Sequence, residues 1–164
     1  MTEDKLTKAR ALLSAVCDPE VPVLTIEDLG IVRGLYLLED GTLEVVITPT
    51  YSGCPAMNVI EINIRAALQE GGFDPVKVTT VLSPAWTTDW LREAGRSKLE
   101  AFGIAPPAER SADKKALLGE KRIIACPHCG SDNTEMISQF GSTACKSLFR
   151  CLDCLEPFDY FKCH

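Results

Sequence analysis

The chemistry this sequence offers lies mostly in its eight cysteines. Four stand as two C-x-x-C pairs near the C-terminus, Cys126-Pro127-His128-Cys129 and Cys151-Leu152-Asp153-Cys154. That spacing lets two thiolates from one tight turn grip a single ion while backbone N–H groups support the sulfurs. Two such turns complete a tetrahedral S4 site. The surrounding segment is too short to build a good core unaided, so a structural zinc ribbon is the better reading and four unliganded thiols the poorer one. Tetrathiolate sites also hold iron, but only the first pair has the C-P-x-C-G form, which favours zinc. A filled S4 site keeps no open coordination position, so it would not catalyse. His128 reads as a spacer inside the first turn and His164 as a chain end. Cys145 and Cys163 read as packed or exposed thiols; the alternative is that one replaces a ligand cysteine or joins a second soft-metal site.

A fifth cysteine, Cys54, lies in Thr48–Asn58, which reads TPTYSGCPAMN. Gly53 permits a tight turn there, and Pro55 suits the first residue of a helix, where a missing N–H costs nothing. Cys54 is thereby predicted at a helix N-terminus, among unpaired N–H groups and the positive end of the dipole. Such surroundings favour thiolate over thiol, the form that attacks electrophiles and binds soft metals. The plain alternative is a small buried cysteine filling a turn. Asp18 and Glu20 sit in the constrained loop Asp18-Pro19-Glu20-Val21-Pro22. They are either solvated turn acids or groups that line a site with Cys54.

These residues need elements to hold them. Leu6, Ala9, Leu12, Leu13 and Val16 repeat at helical spacing, predicting a helix over Thr2–Val16 that stops at the prolines. Ile31–Leu38 and Leu43–Thr48 read as strands joined by a hairpin at Asp40-Gly41. Met57, Ile60, Ile64, Ala67 and Leu68 then mark a helix from Pro55 to about Glu70, ended by Gly71-Gly72. Val76–Leu82 is a third strand, and a strand–helix–strand unit makes it parallel to the second. The Cys54 loop and the loop Ser83–Trp90 therefore leave the same sheet edge, where such sheets place ligands. Trp86, Thr87, Asp18 and Glu20 could surround the thiol there, although Trp86 and Trp90 fit equally well as core anchors. A helix capped by Thr87 or Thr88 runs on to about Phe102-Gly103.

The fold class is α/β: a small mixed three-stranded sheet packed with helices, followed by a small zinc-ribbon β domain. Residues 1–103 form the first domain and residues 104–122 a connector, with a helical turn expected at Ala112–Leu118. Residues 123–164 form the ribbon, where Phe140, Phe149, Phe158, Tyr160 and Phe161 supply a small core over β-hairpins and zinc supplies much of the folding energy.

Composition narrows the function classes. The net charge is −6, with 9 basic and 15 acidic side chains in residues 1–103, 5 and 3 in 104–122, and 3 and 5 in 123–164. No region is basic enough for a protein that binds nucleic acid by neutralising phosphates, so no nucleic-acid partner is expected. No run of about 18 apolar residues predicts a membrane span, and the start MTEDKLTKAR lacks a secretory signal's apolar segment. A cytoplasmic protein is expected. No dinucleotide-binding glycine pattern, phosphate-binding loop or serine elbow is present. Neither histidine falls in residues 1–103, which excludes a Cys–His nucleophile pair within that domain. Cys54 as a nucleophile with Asp18 or Glu20 as base is the remaining enzymatic reading.

Several segments together resemble one family. DPEVP, DLGIV, TPTYSGCP and SPAWTTDWL, followed by FGIAPP, are similar to the iron–sulfur assembly family of SufT- and PaaD-type proteins. The likeness runs from about Cys17 to Pro107 and, for the PaaD-type branch, through the ribbon. It implies that Cys54 handles iron or a cluster, with Asp18, Glu20 and Thr87 at corresponding loop positions. It further implies a non-catalytic accessory factor of a multicomponent monooxygenase, phenylacetyl-CoA epoxidase. The implied clients are that enzyme's ferredoxin-type reductase or its di-iron oxygenase, with the ribbon as docking module. A permanent bridging subunit indifferent to Cys54 is the reading from another class. One thiol cannot enclose a cluster, so a cluster carrier would need Cys17, a second protomer as in a homodimer, or an outside thiol.

Overall fold

A computed structural model describes residues 1–107 and 123–162 and divides the chain into two compact units, Met1–Gly95 and Arg96–His164. The connector's expected helical turn at Ala112–Leu118 lies outside the described residues, as do Cys163 and His164.

In the first unit, α1 (Thr2–Leu13) buries Ala9 and Leu13. It ends three residues earlier than the apolar repeat suggests, because the N–H groups of Ala15 and Val16 reach back only to the carbonyls of Leu12 and Leu13, and the chain turns away. Val16 stays buried all the same, while Cys17 bridges to Thr25 and turns outward. Strands β1 (Val32–Leu37) and β2 (Leu43–Ile47) pair antiparallel; β3 (Val76–Thr80) lies parallel to β2, giving the order β1-β2-β3. On β2, Leu43, Val45 and Ile47 alternate into the core at 0% exposure, as the period of two requires.

The crossover between β2 and β3 is α2 (Ala56–Glu70), which buries Ala56, Ile60, Ile64 and Leu68, one residue per turn. Burying each of the larger three is worth about 1.5–3 kcal/mol. Arg65 fixes the helix to the sheet by donating to the Val76 carbonyl at 2.6 Å and pairing with Glu61 at 2.9 Å. Pro55 takes the N-cap position, with Cys54 immediately before it.

After β3 the single expected helix is two pieces: a 3₁₀ turn at Thr88–Trp90, then α3 (Glu93–Ala101). The break comes at Leu91, whose ψ is 122°, and the Arg92 N–H is taken by the Asp28 carbonyl at 2.8 Å instead of continuing a helix. Trp86 Nε1–H donates to the Leu29 carbonyl at 2.7 Å, and the Arg92 guanidinium pairs with buried Glu27 at 2.8 Å. The Thr25–Gly30 segment thus clamps the loop that follows β3.

The second unit holds a four-stranded sheet in the order β4-β7-β6-β5: β4 (Ile104–Ala105), β5 (Thr134–Ser138), β6 (Lys146–Cys151) and β7 (Pro157–Phe161). Ile104 and Ala105, expected in the connector, pair parallel with Asp159 and Tyr160 and belong to this sheet. Ala105, Ile124, Cys126, Phe149, Cys151, Phe158 and Tyr160 form the small core. Phe149 stacks on Phe158 with centroids 5.8 Å apart and meets Tyr160 edge-on at 5.7 Å. Phe140, expected in that core, is 54% exposed; the Lys162 ammonium lies 4.2 Å from its ring centroid, so it serves as a platform for a cation.

Candidate functional site

The loop that carries Cys54 is a four-residue turn. The Cys54 N–H donates to the Tyr51 carbonyl at 3.3 Å, and Gly53, at φ +80°, supplies the left-handed residue the turn demands. The Cys54 carbonyl then accepts the Met57 N–H at 3.2 Å and starts α2. The turn brings two donors to the sulfur, the Ala56 N–H and the Tyr51 hydroxyl, and both favour thiolate. The thiol is nevertheless pushed up from its ordinary 9.0, chiefly by burial, with the negative fields of Glu20 and Asp18 adding to the effect. This corrects the expectation of a thiolate at neutral pH: Cys54 is 9% exposed, and desolvation outweighs the helix end.

The structure therefore gathers Asp18, Glu20 and Cys54. Asp18 is itself buried, and its Oδ1 accepts the N–H groups of Glu20 at 2.7 Å and Val21 at 3.0 Å, which fixes the loop. Thr87 is occupied elsewhere: its hydroxyl accepts the Asp89 N–H at 3.2 Å and caps the 3₁₀ turn. Trp86 is an anchor, held at Leu29. Tyr51 was not among the sequence candidates. The signal that could have found it is its position three residues before Cys54, across a turn that Gly53 already announces.

In the second unit the Sγ atoms of Cys126, Cys129, Cys151 and Cys154 all lie within 4.8 Å of one another. Cys126 and Cys154 are 3.8 Å apart and Cys129 and Cys151 3.5 Å. A tetrahedron with Zn–S bonds of about 2.3 Å has edges of about 3.8 Å, so the four residues fit zinc. Backbone N–H groups point at the sulfurs, His128 to Cys126 at 3.4 Å and Cys154 to Cys151 at 3.5 Å. The Cys151 thiol is lowered to about 7, first by the Cys154 N–H. Cys154 is pushed up to about 12: the Glu156 N–H favours its thiolate, but burial and the neighbouring sulfurs prevail. Four thiolates this close require a cation. His128 lies exposed between two of the ligands and contributes its backbone N–H. Cys145 stands outside this group, buried, with its sulfur 3.0 Å from the Thr143 hydroxyl.

Fold and sites together define a class: a small mixed α/β domain with a buried thiol at the carboxyl edge of its strands, followed by a tetrathiolate β-ribbon. Residues 6–82 match the family model described as iron–sulfur cluster assembly protein, and residues 110–162 match the PaaD zinc beta ribbon domain. The chain belongs to the PaaD family of iron–sulfur assembly proteins. It is 52% identical over 153 residues to an Escherichia coli (strain K12) protein named as one component of a "Putative 1,2-phenylacetyl-CoA epoxidase", covering 93% of this chain and 90% of the relative. It is 30% identical over 99 residues to a protein of Porphyromonas gingivalis (strain ATCC BAA-308 / W83) named Fe-S protein maturation auxiliary factor, covering 60% of this chain and 90% of the relative. A crystal structure of domain of unknown function DUF59 from Bacillus anthracis superposes with a TM-score of 0.55 at 26% identity, covering 59% of this chain and 92% of that one. Among the described residues no helix is long and apolar enough to cross a membrane.

Proposed function

We propose that this chain is a non-catalytic cytoplasmic maturation factor that handles iron or an iron–sulfur cluster for a phenylacetyl-CoA epoxidase, with Cys54 as the transfer thiol. The client is the reductase or the oxygenase component, and the zinc ribbon is the docking module. The observation that carries the reading is the environment of Cys54. Burial keeps the sulfur protonated at neutral pH, while the Ala56 N–H and the Tyr51 hydroxyl stand ready to support the thiolate. The negative fields of Asp18 and Glu20 oppose a bare thiolate but favour one paired with a cation. Binding iron displaces the thiol proton, and the cation then satisfies both the sulfur and the acids. Such a thiol resists adventitious alkylation and oxidation, and ionises when metal arrives. The relatives' names, an epoxidase component and iron–sulfur maturation factors, support this client and this cargo.

The test is maturation of the epoxidase in cells carrying Cys54→Ser in place of the wild-type chain. The expected result is a soluble, zinc-loaded variant beside a client deficient in iron. A fully loaded client beside that variant contradicts the proposal and leaves a permanent bridging subunit as the better account.

A further inference from the structure

The two cysteine turns of the ribbon are tied to each other by more than a shared ion. Asp153, the third residue of the second turn, directs both carboxylate oxygens at the chain leaving the first. Its Oδ2 accepts the Ser131 hydroxyl, and its Oδ1 accepts the Asn133 side-chain amide at 2.9 Å. Ser131 is itself anchored to the first turn, because its carbonyl accepts the Cys126 N–H at 2.9 Å; its hydroxyl also accepts the Asn133 N–H at 3.0 Å. The Asn133 carbonyl closes the strap by accepting the Leu152 N–H at 2.8 Å. Each link is made by atoms other than the four sulfurs. Charge alone would argue against an acid here, since a carboxylate beside four thiolates opposes the gathering of negative charge. Its hydrogen bonds, which span the two turns, give the reason for it.

We infer that Asp153 is a positioning residue for the metal, holding the two cysteine turns in register through Ser131 and Asn133 so that zinc meets four sulfurs already in place. Groups that orient metal ligands from behind are typically worth about ten- to a hundredfold in metal affinity. The inference concerns the ribbon's zinc and stands apart from the role proposed for Cys54.

The experiment follows zinc release from the loaded full-length chain into excess chromogenic chelator. Wild type is compared with Asp153→Ala, Asp153→Asn and the double variant Ser131→Ala/Asn133→Ala. Asp153→Ala and the double variant, which keeps the carboxylate, are both expected to release zinc about ten- to a hundredfold faster. Asp153→Asn retains one acceptor and falls between them and wild type. Cobalt substitution reports whether the S4 geometry still forms. If the double variant does not fold, Asn133→Ala alone carries the comparison, with faster release again expected. Wild-type release from the strap variant that folds overturns the inference. So does slower release from Asp153→Asn, which would make the acid's charge the governing property.

Discussion

Cys54 is pulled in two directions by groups only a few residues away. The start of α2 and the Tyr51 hydroxyl favour the thiolate; burial, Glu20 and Asp18 favour the thiol and prevail. Because the folded-state value is raised, this group's contribution to stability is complete below its ordinary 9.0 and is lost as pH rises through the folded value. With zinc bound and Cys17 replaced by serine, alkylation of Cys54 should show a pH midpoint above 9.0, and Tyr51→Phe should move it higher still by removing a donor. A midpoint below 9.0, or one that Tyr51→Phe leaves in place, contradicts this account. The sequence made the turn, the helix start and the two acids legible, since glycine, proline and aspartate report local backbone needs. It could not make the sign of the pKa shift legible. That sign is decided by how deeply the sulfur is buried, which depends on side chains packed from other parts of the chain.

At the scale of elements, each cysteine turn ends on a residue in the left-handed region: Gly130 at φ +77° after the first and Leu155 at φ +65° after the second. Nothing lies within 4 Å of a Cβ added to Gly130, so Gly130→Ala tests backbone conformation alone and should cost about 1–2 kcal/mol. Leu155 is 69% exposed and has little packing to lose. Leu155→Gly should be neutral or stabilising by up to about 1 kcal/mol, relieved strain being offset by greater freedom in the unfolded chain. Thermal denaturation of the zinc-loaded chain measures both; a clear loss of stability in Leu155→Gly would show that its side chain holds the turn. The elements themselves were largely legible. The apolar alternation of β2, the helical stripe of α2 and the strand–helix–strand connection pointed to the mixed sheet, with β3 parallel to β2. Three features were not. The end of α1 is a tightening to three-residue hydrogen bonds that the apolar repeat does not register, while the break at Leu91 and the pairing of Ile104–Ala105 with β7 are set by hydrogen bonds to distant backbone, which local pattern does not carry. Phe140 was misplaced for the same kind of reason: an aromatic at a strand end reads as core until its partner, here Lys162, is known.

At the scale of the whole molecule, two chemistries are assigned to two units. The second unit holds four sulfurs at tetrahedral spacing, a closed site suited to a permanent zinc. The first holds a buried thiol, Cys54, kept protonated chiefly by burial and exposed to the negative fields of Glu20 and Asp18, the environment on which the proposed transfer role rests. The most direct measurement is anaerobic metal analysis of the chain beside Cys54→Ser after exposure of both to ferrous iron. About one zinc per chain is expected in both, as one S4 site dictates, with iron retained by the wild type alone. Iron retained equally by Cys54→Ser, or by neither, would contradict the claim that Cys54 handles the metal.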